Sequence, residues 1–323
     1  MKRTLSIFIS FVFLFFASCT TEFNVNDEWE ETTVVYGLLD AGTELQQVKI
    51  SKAFLGNMDA LQMAQYSDSV NYNLGELDVM IYKATEYGLL TDSIMLNDSL
   101  VYRDSDIFHD SVMIYSFMDN GFLKQDFEYS IKVRNKVSGN IVEGSTSIVG
   151  NFGFGNMDNQ FKFYKPFNPD TTKFTFEKVE WTDASNASIY QLVVRINYVE
   201  NGESLYLDWV QPLEDNENST ILEGKKFFSF LQASEQLQVN SVNTVRVFQN
   251  IDLYLTAGTS DLHTYMQVNE PVTGIVQQRP VFSNINNGIG LFTSRYSLVK
   301  KGEIQLSDDT KDYIKDNLSL NFQ

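Results

Sequence analysis

Apolar and polar residues alternate along most of this chain with a period of two. LDVMIYKA (77–84) sets Leu77, Val79 and Ile81 on one side, and LQQVKISKAF (45–54) brings Leu45, Val48 and Ile50 into near alternation. FEYSIKVRNKVSGNIVEGSTSIV (127–149) alternates Tyr129, Ile131 and Val133 with polar residues, turns at Ser138-Gly139-Asn140 and returns through Ile141-Val142. A period of two marks a strand with one buried face, and two such runs around a glycine turn predict a hairpin. TTVVY (32–36) reads as a further strand, closed by Gly37. GNFGFGNMDN (150–159) breaks the pattern with three glycines and two phenylalanines, which places a domain boundary there. A second strand series follows in KFTFEKVEW (173–181), SIYQLVVRINYVE (188–200), SLYLDWVQPL (204–213) and TVRVFQNIDLYLTAG (244–258).

Helical spacing is confined to a few stretches. Phe227, Phe228, Phe230 and Leu231 in 224–238 predict a short helix, 261–270 a second, and LSDDTKDYIKDN (306–317) opens on Ser307 and two aspartates, good N-cap chemistry for a third. The fold class expected is all-β: two tandem antiparallel β-sandwich domains, 32–149 and 150–305, with a helical tail over 306–323. The pattern from Leu123 through Tyr129, Ile131 and Val133 resembles the penultimate strand of an immunoglobulin-like domain. Trp181 followed by Tyr190, Leu192 and Val194 resembles the second and third strands of fibronectin-type sandwiches.

The start of the chain has another character. Lys2 and Arg3 precede the apolar run LSIFISFVFLFF (5–16), and then come Ala17, Ser18 and Cys19. A basic start, an apolar stretch and small residues before a cut describe a secretory signal peptide over 1–18. The run would reach about 18 Å as a helix, short of a bilayer core of about 30 Å. Phe-Ala-Ser-Cys resembles the bacterial lipobox, with Phe16 at the usual aliphatic position, which implies a lipid on the Cys19 thiol. Cys19 is the single cysteine of the chain, so no disulfide can form within it. Residues 19–31 read as an acidic tether (Glu22, Asp27, Glu28, Glu30, Glu31), similar to the export signal of surface lipoproteins in Bacteroidota. The expected location is the outer membrane, lipid-anchored and facing the cell surface.

Net charge changes the list of partners. The 323 residues carry 24 Lys and Arg against 42 Asp and Glu, a formal charge of −18. Nucleic-acid binding needs a basic footprint that this chain does not have, and an acidic surface leaves membrane attachment to the lipid. The 25 Phe and 16 Tyr supply ample apolar surface for β-rich cores.

Candidate chemistry is sparse. Asp-Ser recurs every six residues at Asp92, Asp98, Asp104 and Asp110. Clustered carboxylates are what calcium takes, but four hexads fit the strands and turns of one sandwich edge better. His109 and His263 are the two histidines. A Ser-His-Asp site would need one of them, and no Gly-x-Ser-x-Gly elbow supports it. No metal site, cofactor or catalytic residue is expected. Tyr206 and Trp209 are candidate sugar-stacking residues, with Trp29 in the tether, and core packing is the alternative role.

PVFSNINNGIGLFTSRYSLV (280–299) is the most distinctive stretch. Asn284, Asn286, Asn287, Gly288 and Gly290 form a structural turn motif, in which the Asn-Asn-Gly-x-Gly run from Asn286 to Gly290 provides positive-φ positions for a tight turn before a strand. With Val34-Val35-Tyr36-Gly37-Leu38-Leu39 and Gln47–Phe54, this element resembles a family of Bacteroidota outer-membrane lipoproteins built on a domain of unknown function. That resemblance implies association with TonB-dependent transport, hence an outer-membrane β-barrel partner. The function expected is a non-enzymatic accessory or ligand-capturing subunit of an envelope complex. A surface glycan-binding or adhesion module is the alternative, and a surface hydrolase a third.

Overall fold

A computed structural model of the chain describes residues 31–54, 70–104, 109–167, 173–238, 244–269 and 281–323. The signal segment, Cys19, Trp29 and nearly all of the tether lie outside these residues. Of the described residues 55% are strand, with a few short helices. In order the elements of the first half are β1 (Glu31–Asp40), β2 (Leu45–Phe54), β3 (Leu77–Ala84), β4 (Leu90–Met95), β5 (Asn97–Asp104), β6 (His109–Met118), β7 (Glu128–Asn135) and β8 (Ile141–Ser147). The second half holds β9 (Gln160–Phe161), β10 (Phe176–Glu180), β11 (Ile189–Glu200), β12 (Glu203–Asp215), β13 (Ser219–Glu223), α1 (Gly224–Ala233), α2 (Glu235–Gln238), β14 (Arg246–Gly258), α3 (Ser260–Asn269), β15 (Ile285–Asn286), β16 (Ile289–Leu306) and α4 (Asp308–Asn317).

One sheet of nine strands runs through both halves in the order β12-β11-β14-β16-β1-β2-β6-β5, with β9 joined to β16. A five-stranded sheet, β15-β8-β7-β3-β4, and a pair, β10-β13, complete the strands. Pairing is antiparallel except where β16 meets β1 and β9. Two hydrophobic cores result. The first lies between β1, β2 and β6 of the large sheet and β3, β7 and β8 of the smaller one: Val35, Ile50 and Tyr115 face Ile81, Ile131 and Val142. The second packs β11, β12 and β14 against α1 and α4, with Val194, Leu253, Phe227 and Ile314 in it.

The halves are not separable at residue 150 by their contacts. β16 is 18 residues long and serves both cores. Phe292 near its start, with Ile285 of β15, belongs to the first core, while Ile304 and Leu306 near its end belong to the second. Residues within the expected second domain, 150–305, therefore complete the first core. Gly37 likewise does not close β1, which continues to Asp40. A Cβ there would stand 2.7 Å from Cδ2 of Phe292, so the glycine is a slot for that ring rather than a stop. The Asp-Ser hexads fall on β4, β5 and β6, with β4 and β5 at the edges of different sheets. Asp98 accepts the Gly75 N–H, which is a turn contact.

Local chemistry fixes the corners. Tyr129 at the start of β7 donates its hydroxyl to the Phe122 carbonyl at 2.8 Å and accepts the Lys124 N–H at 2.8 Å. Burial holds that phenol up to about 12. Beside it Lys83 is buried, donates to the same Phe122 carbonyl at 2.7 Å and lies 4.4 Å from the Phe127 ring. Desolvation, then the neighbouring Lys124, pulls its amine below the ordinary lysine range. Ser307 caps α4 by accepting the Thr310 N–H, and the Thr310 hydroxyl accepts the Phe163 N–H at 3.0 Å, which ties the tail to the second core.

Glu177 of β10 carries a testable cost. Burial raises its carboxyl above the ordinary glutamate range, although the Lys162 N–H donates to it at 2.7 Å. The folded chain therefore keeps this proton to higher pH than the unfolded chain. Stability is lost as pH rises from the ordinary glutamate value through the raised one. Glu177→Gln keeps an acceptor for Lys162 and removes the charge. The variant is expected to melt above the parent at about pH 8 and to lose that advantage near pH 4. Thermal melts at both pH values check it, and a constant difference would refute the cause.

Candidate functional site

The residues singled out by sequence do not converge. Tyr206 and Trp209 are three apart on β12, and in a strand that spacing puts them on opposite faces. Trp209 points inward and is 8% exposed, packed against Phe163, Phe227 and Phe230 at ring separations of 6.4, 5.7 and 5.9 Å. It takes the core-packing role. Tyr206 faces out and is half exposed, but the Arg195 guanidinium covers its ring at 3.8 Å. Arg195 also lies 4.7 Å from the Tyr254 ring and grips Asp208 with two bonds, Nε–Oδ1 at 2.7 Å and a second nitrogen to Oδ2 at 2.8 Å. Asp208 holds that guanidinium above its already high ordinary range. The cluster is satisfied within the sheet.

The Asn-Gly element is a joint. Asn284 behaves like a strand residue through its side chain: Nδ2 donates to the Phe292 carbonyl at 2.8 Å and Oδ1 accepts the Phe292 N–H at 2.9 Å. The same Nδ2 reaches Asp261 of α3 at 2.8 Å. Asn286 pairs with Glu143 in β8. Asn287 takes a positive φ of 56° and donates to the Ile141 carbonyl at 3.3 Å. Gly288 and Gly290 let the turn press on β1: a Cβ on Gly288 would stand 2.7 Å from Thr33 O, and one on Gly290 2.0 Å from Val35 O.

Beside this joint, a groove follows the seam between the cores. Two connected hollows share Glu128 and Asn186. One, about 400 Å³, is walled by Ser145, Ser147, Ser260 and Asp261. The other, about 540 Å³, is walled by Glu86, Tyr87, Gln125, Asp126 and Phe127. The seam beneath is stitched by side chains. Asn186, at φ 62°, donates to the Gln125 carbonyl at 3.0 Å and the Ile148 carbonyl at 2.9 Å. Ser294 of β16 donates to the Ser147 carbonyl at 2.7 Å and accepts the Val149 N–H at 2.8 Å. The Ser147 hydroxyl donates to Glu128 at 3.0 Å. Gly150 lies so close under Gln125 that a Cβ would meet Oε1 at 2.0 Å.

Sequence reasoning missed this groove. Its walls come from five segments distant along the chain, and no spacing rule joins them. The signals that exist are local: an aromatic at a turn, Tyr87-Gly88, and an asparagine in a short polar loop, Asn186.

His263 lies 3.8 Å from Asp215 through Nδ1, and its Nε2 is engaged by the Gln267 amide at 2.9 Å. Among the described residues no three His, Cys, Asp or Glu side chains gather as a metal site. The same residues include no helix long and apolar enough to cross a membrane.

These features define a β-rich protein with two cores on a shared sheet and a polar groove at their seam. Neither the models of known protein families nor the sequences of characterised proteins match this chain.

Proposed function

We propose that the chain is an outer-membrane-anchored lipoprotein, acylated at Cys19 and facing the cell surface. It acts as a non-enzymatic accessory or ligand-capturing subunit of an envelope complex such as a TonB-dependent transporter, with a β-barrel partner. The observation that carries this reading is the order of the first residues: basic start, apolar run, Phe16-Ala17-Ser18-Cys19, then an acidic tether up to Glu31, where β1 begins. β1 is an inner strand, bonded to β2 on one side and β16 on the other. A tether ending there pulls on the middle of the sheet and not on a frayed edge.

The finer reading of the fold belongs here too. We read the two cores as two immunoglobulin-like sandwich units. The Tyr129 corner supports it for the first, since such corners bind a tyrosine hydroxyl to backbone a few residues upstream. The units then share β16 instead of dividing at one residue.

Labelled palmitate tests the anchor. The parent chain is expected to take up label and sediment with membranes, and Cys19→Ser to lose both, because acyl chains contribute about 0.8 kcal/mol per buried methylene. An unlabelled parent, or a serine variant that still sediments, would overturn the reading. Affinity capture from native outer membrane is expected to recover a β-barrel protein, and its absence would count against the transporter role.

A second reading, surface glycan binding, is favoured by one observation: Tyr87, 89% exposed, stands at the rim of the seam groove.

A further inference from the structure

We infer that the seam groove is a binding site for an uncharged oligosaccharide, with Tyr87 as its stacking platform. The inference deepens the glycan-binding reading above and gives it a site other than Tyr206 and Trp209.

Tyr87 lies in the turn between β3 and β4, and that turn is built to hold it out. Gly88 takes a φ of 79° and donates to the Thr85 carbonyl at 2.8 Å, the Thr85 N–H donates to the Leu89 carbonyl at 2.9 Å, and the Thr85 hydroxyl accepts the Leu89 N–H at 3.2 Å. A large aromatic held 89% exposed on a closed turn contributes nothing to a core. An aromatic face matches the C–H face of a pyranose ring, and its cost in rotamer freedom is small because the side chain has two torsions.

The rest of the wall is what ring hydroxyls need. Gln125, Glu128 and Asp261 offer planar amide and carboxylate groups, and Ser145, Ser147 and Ser260 offer hydroxyls. Hollows of about 400 and 540 Å³ fall in the usual size range of small-ligand sites, and a lining more polar than most such sites suits a ligand covered in hydroxyls.

Charge narrows the class. Glu86, Asp126, Glu128 and Asp261 line the two hollows, and neither lining includes a Lys or Arg. Lys83 approaches Phe127 but is buried, with its amine bonded to the Phe122 carbonyl. An anionic glycan would enter a field of its own sign, unscreened over the few ångströms of contact. Uncharged sugars satisfy the same acceptors through their hydroxyl protons without that repulsion.

The frame is rigid where the ligand would rest. Asn186, Ser294 and Gly150 fix the two cores against each other under the groove, so binding orders little that is not already ordered.

Titration calorimetry of the full chain in detergent tests the inference, with maltohexaose, cellohexaose, mannohexaose and hexagalacturonate as probes. At least one neutral hexasaccharide is expected to bind and hexagalacturonate to bind more weakly. Tyr87→Ala is expected to weaken the neutral sugar about tenfold or more with an unchanged melting temperature, the side chain being 89% exposed and outside both cores. Val137→Ala, at another exposed turn residue, is expected to leave affinity unchanged. Silence from all three neutral probes at millimolar concentration, preference for the uronate, or equal binding by parent and Tyr87→Ala would each overturn the inference. The palmitate experiment is independent of these outcomes, so loss of the groove and loss of the anchor are distinguishable.

Discussion

A chain carrying Gly290→Ala is expected to lose about 4 kcal/mol or more of stability, enough to leave it largely unfolded at modest denaturant. Two costs add. Gly290 sits at φ 124°, outside the left-handed well that asparagine tolerates, and a side chain held there costs about 1–3 kcal/mol. The added Cβ would also stand 2.0 Å from the Val35 carbonyl oxygen and 3.0 Å from its nitrogen. Those atoms are backbone of β1 and cannot rotate away. Their register with β16 runs from Val34 opposite Ile289 to Asp40 opposite Arg295, and β2 holds β1 from the other side. Relief requires β1 and β16 to part, which opens the first core at Val35 and Phe292. Gly302→Ala is the control. It too has a positive φ, 72°, but a Cβ there meets nothing within 4 Å, so about 1 kcal/mol is expected. Urea melts followed by far-ultraviolet dichroism separate the two. Equal midpoints for the two variants would refute the close-approach argument.

Arg246→Met is expected to cost about 3–5 kcal/mol and to free the end of the chain. Arg246 is wholly buried, and its guanidinium bonds Glu200 at 2.6 Å and the carbonyls of Leu237 and Leu320 at 3.1 and 2.7 Å. Its backbone completes the clasp: Arg246 N–H donates to the Asn321 carbonyl and the Gln323 N–H returns to the Arg246 carbonyl, both at 3.0 Å. Methionine fills much of the volume but leaves a carboxylate and two carbonyls without their donor, and buried acceptors left so are costly. Arg246→Lys is expected to fall between, since a single ammonium cannot span three acceptors fixed by a planar fork. Melting temperatures rank the three chains. Limited proteolysis should cut the methionine variant after α4 while the parent stays intact. A methionine variant within 1 kcal/mol of the parent would show that the clasp is ornamental.

Most strands were legible because period-two alternation is written directly in residue type. LDVMIYKA and LQQVKISKAF coincide with β3 and β2, and α4 follows from Ser307 and its two aspartates. Partners were not legible. Nothing near Val35 announces that it will lie beside Gly290, because register across so long a separation depends on the whole assembled sheet. Gly37 was misleading for the same reason: glycine marks a turn when read locally, yet here it answers a ring from β16. Tyr206 and Trp209 look like neighbours in a sequence and stand on opposite faces of a strand. The groove was invisible because its walls are assembled from loops that only the seam brings together.

The pairing of β1 with β16 has a consequence for biogenesis. The first strand, β1, cannot gain its second neighbour until residue 295 has been synthesised. Until then β1 has β2 on one flank and an open row of amides and carbonyls on the other, a template for misassociation. Closure across almost the full length of the polypeptide is also slow, because the loop entropy must be spent before the contacts form. Nascent chains stalled before β16 should therefore leave the first core open to protease and depend on holding chaperones.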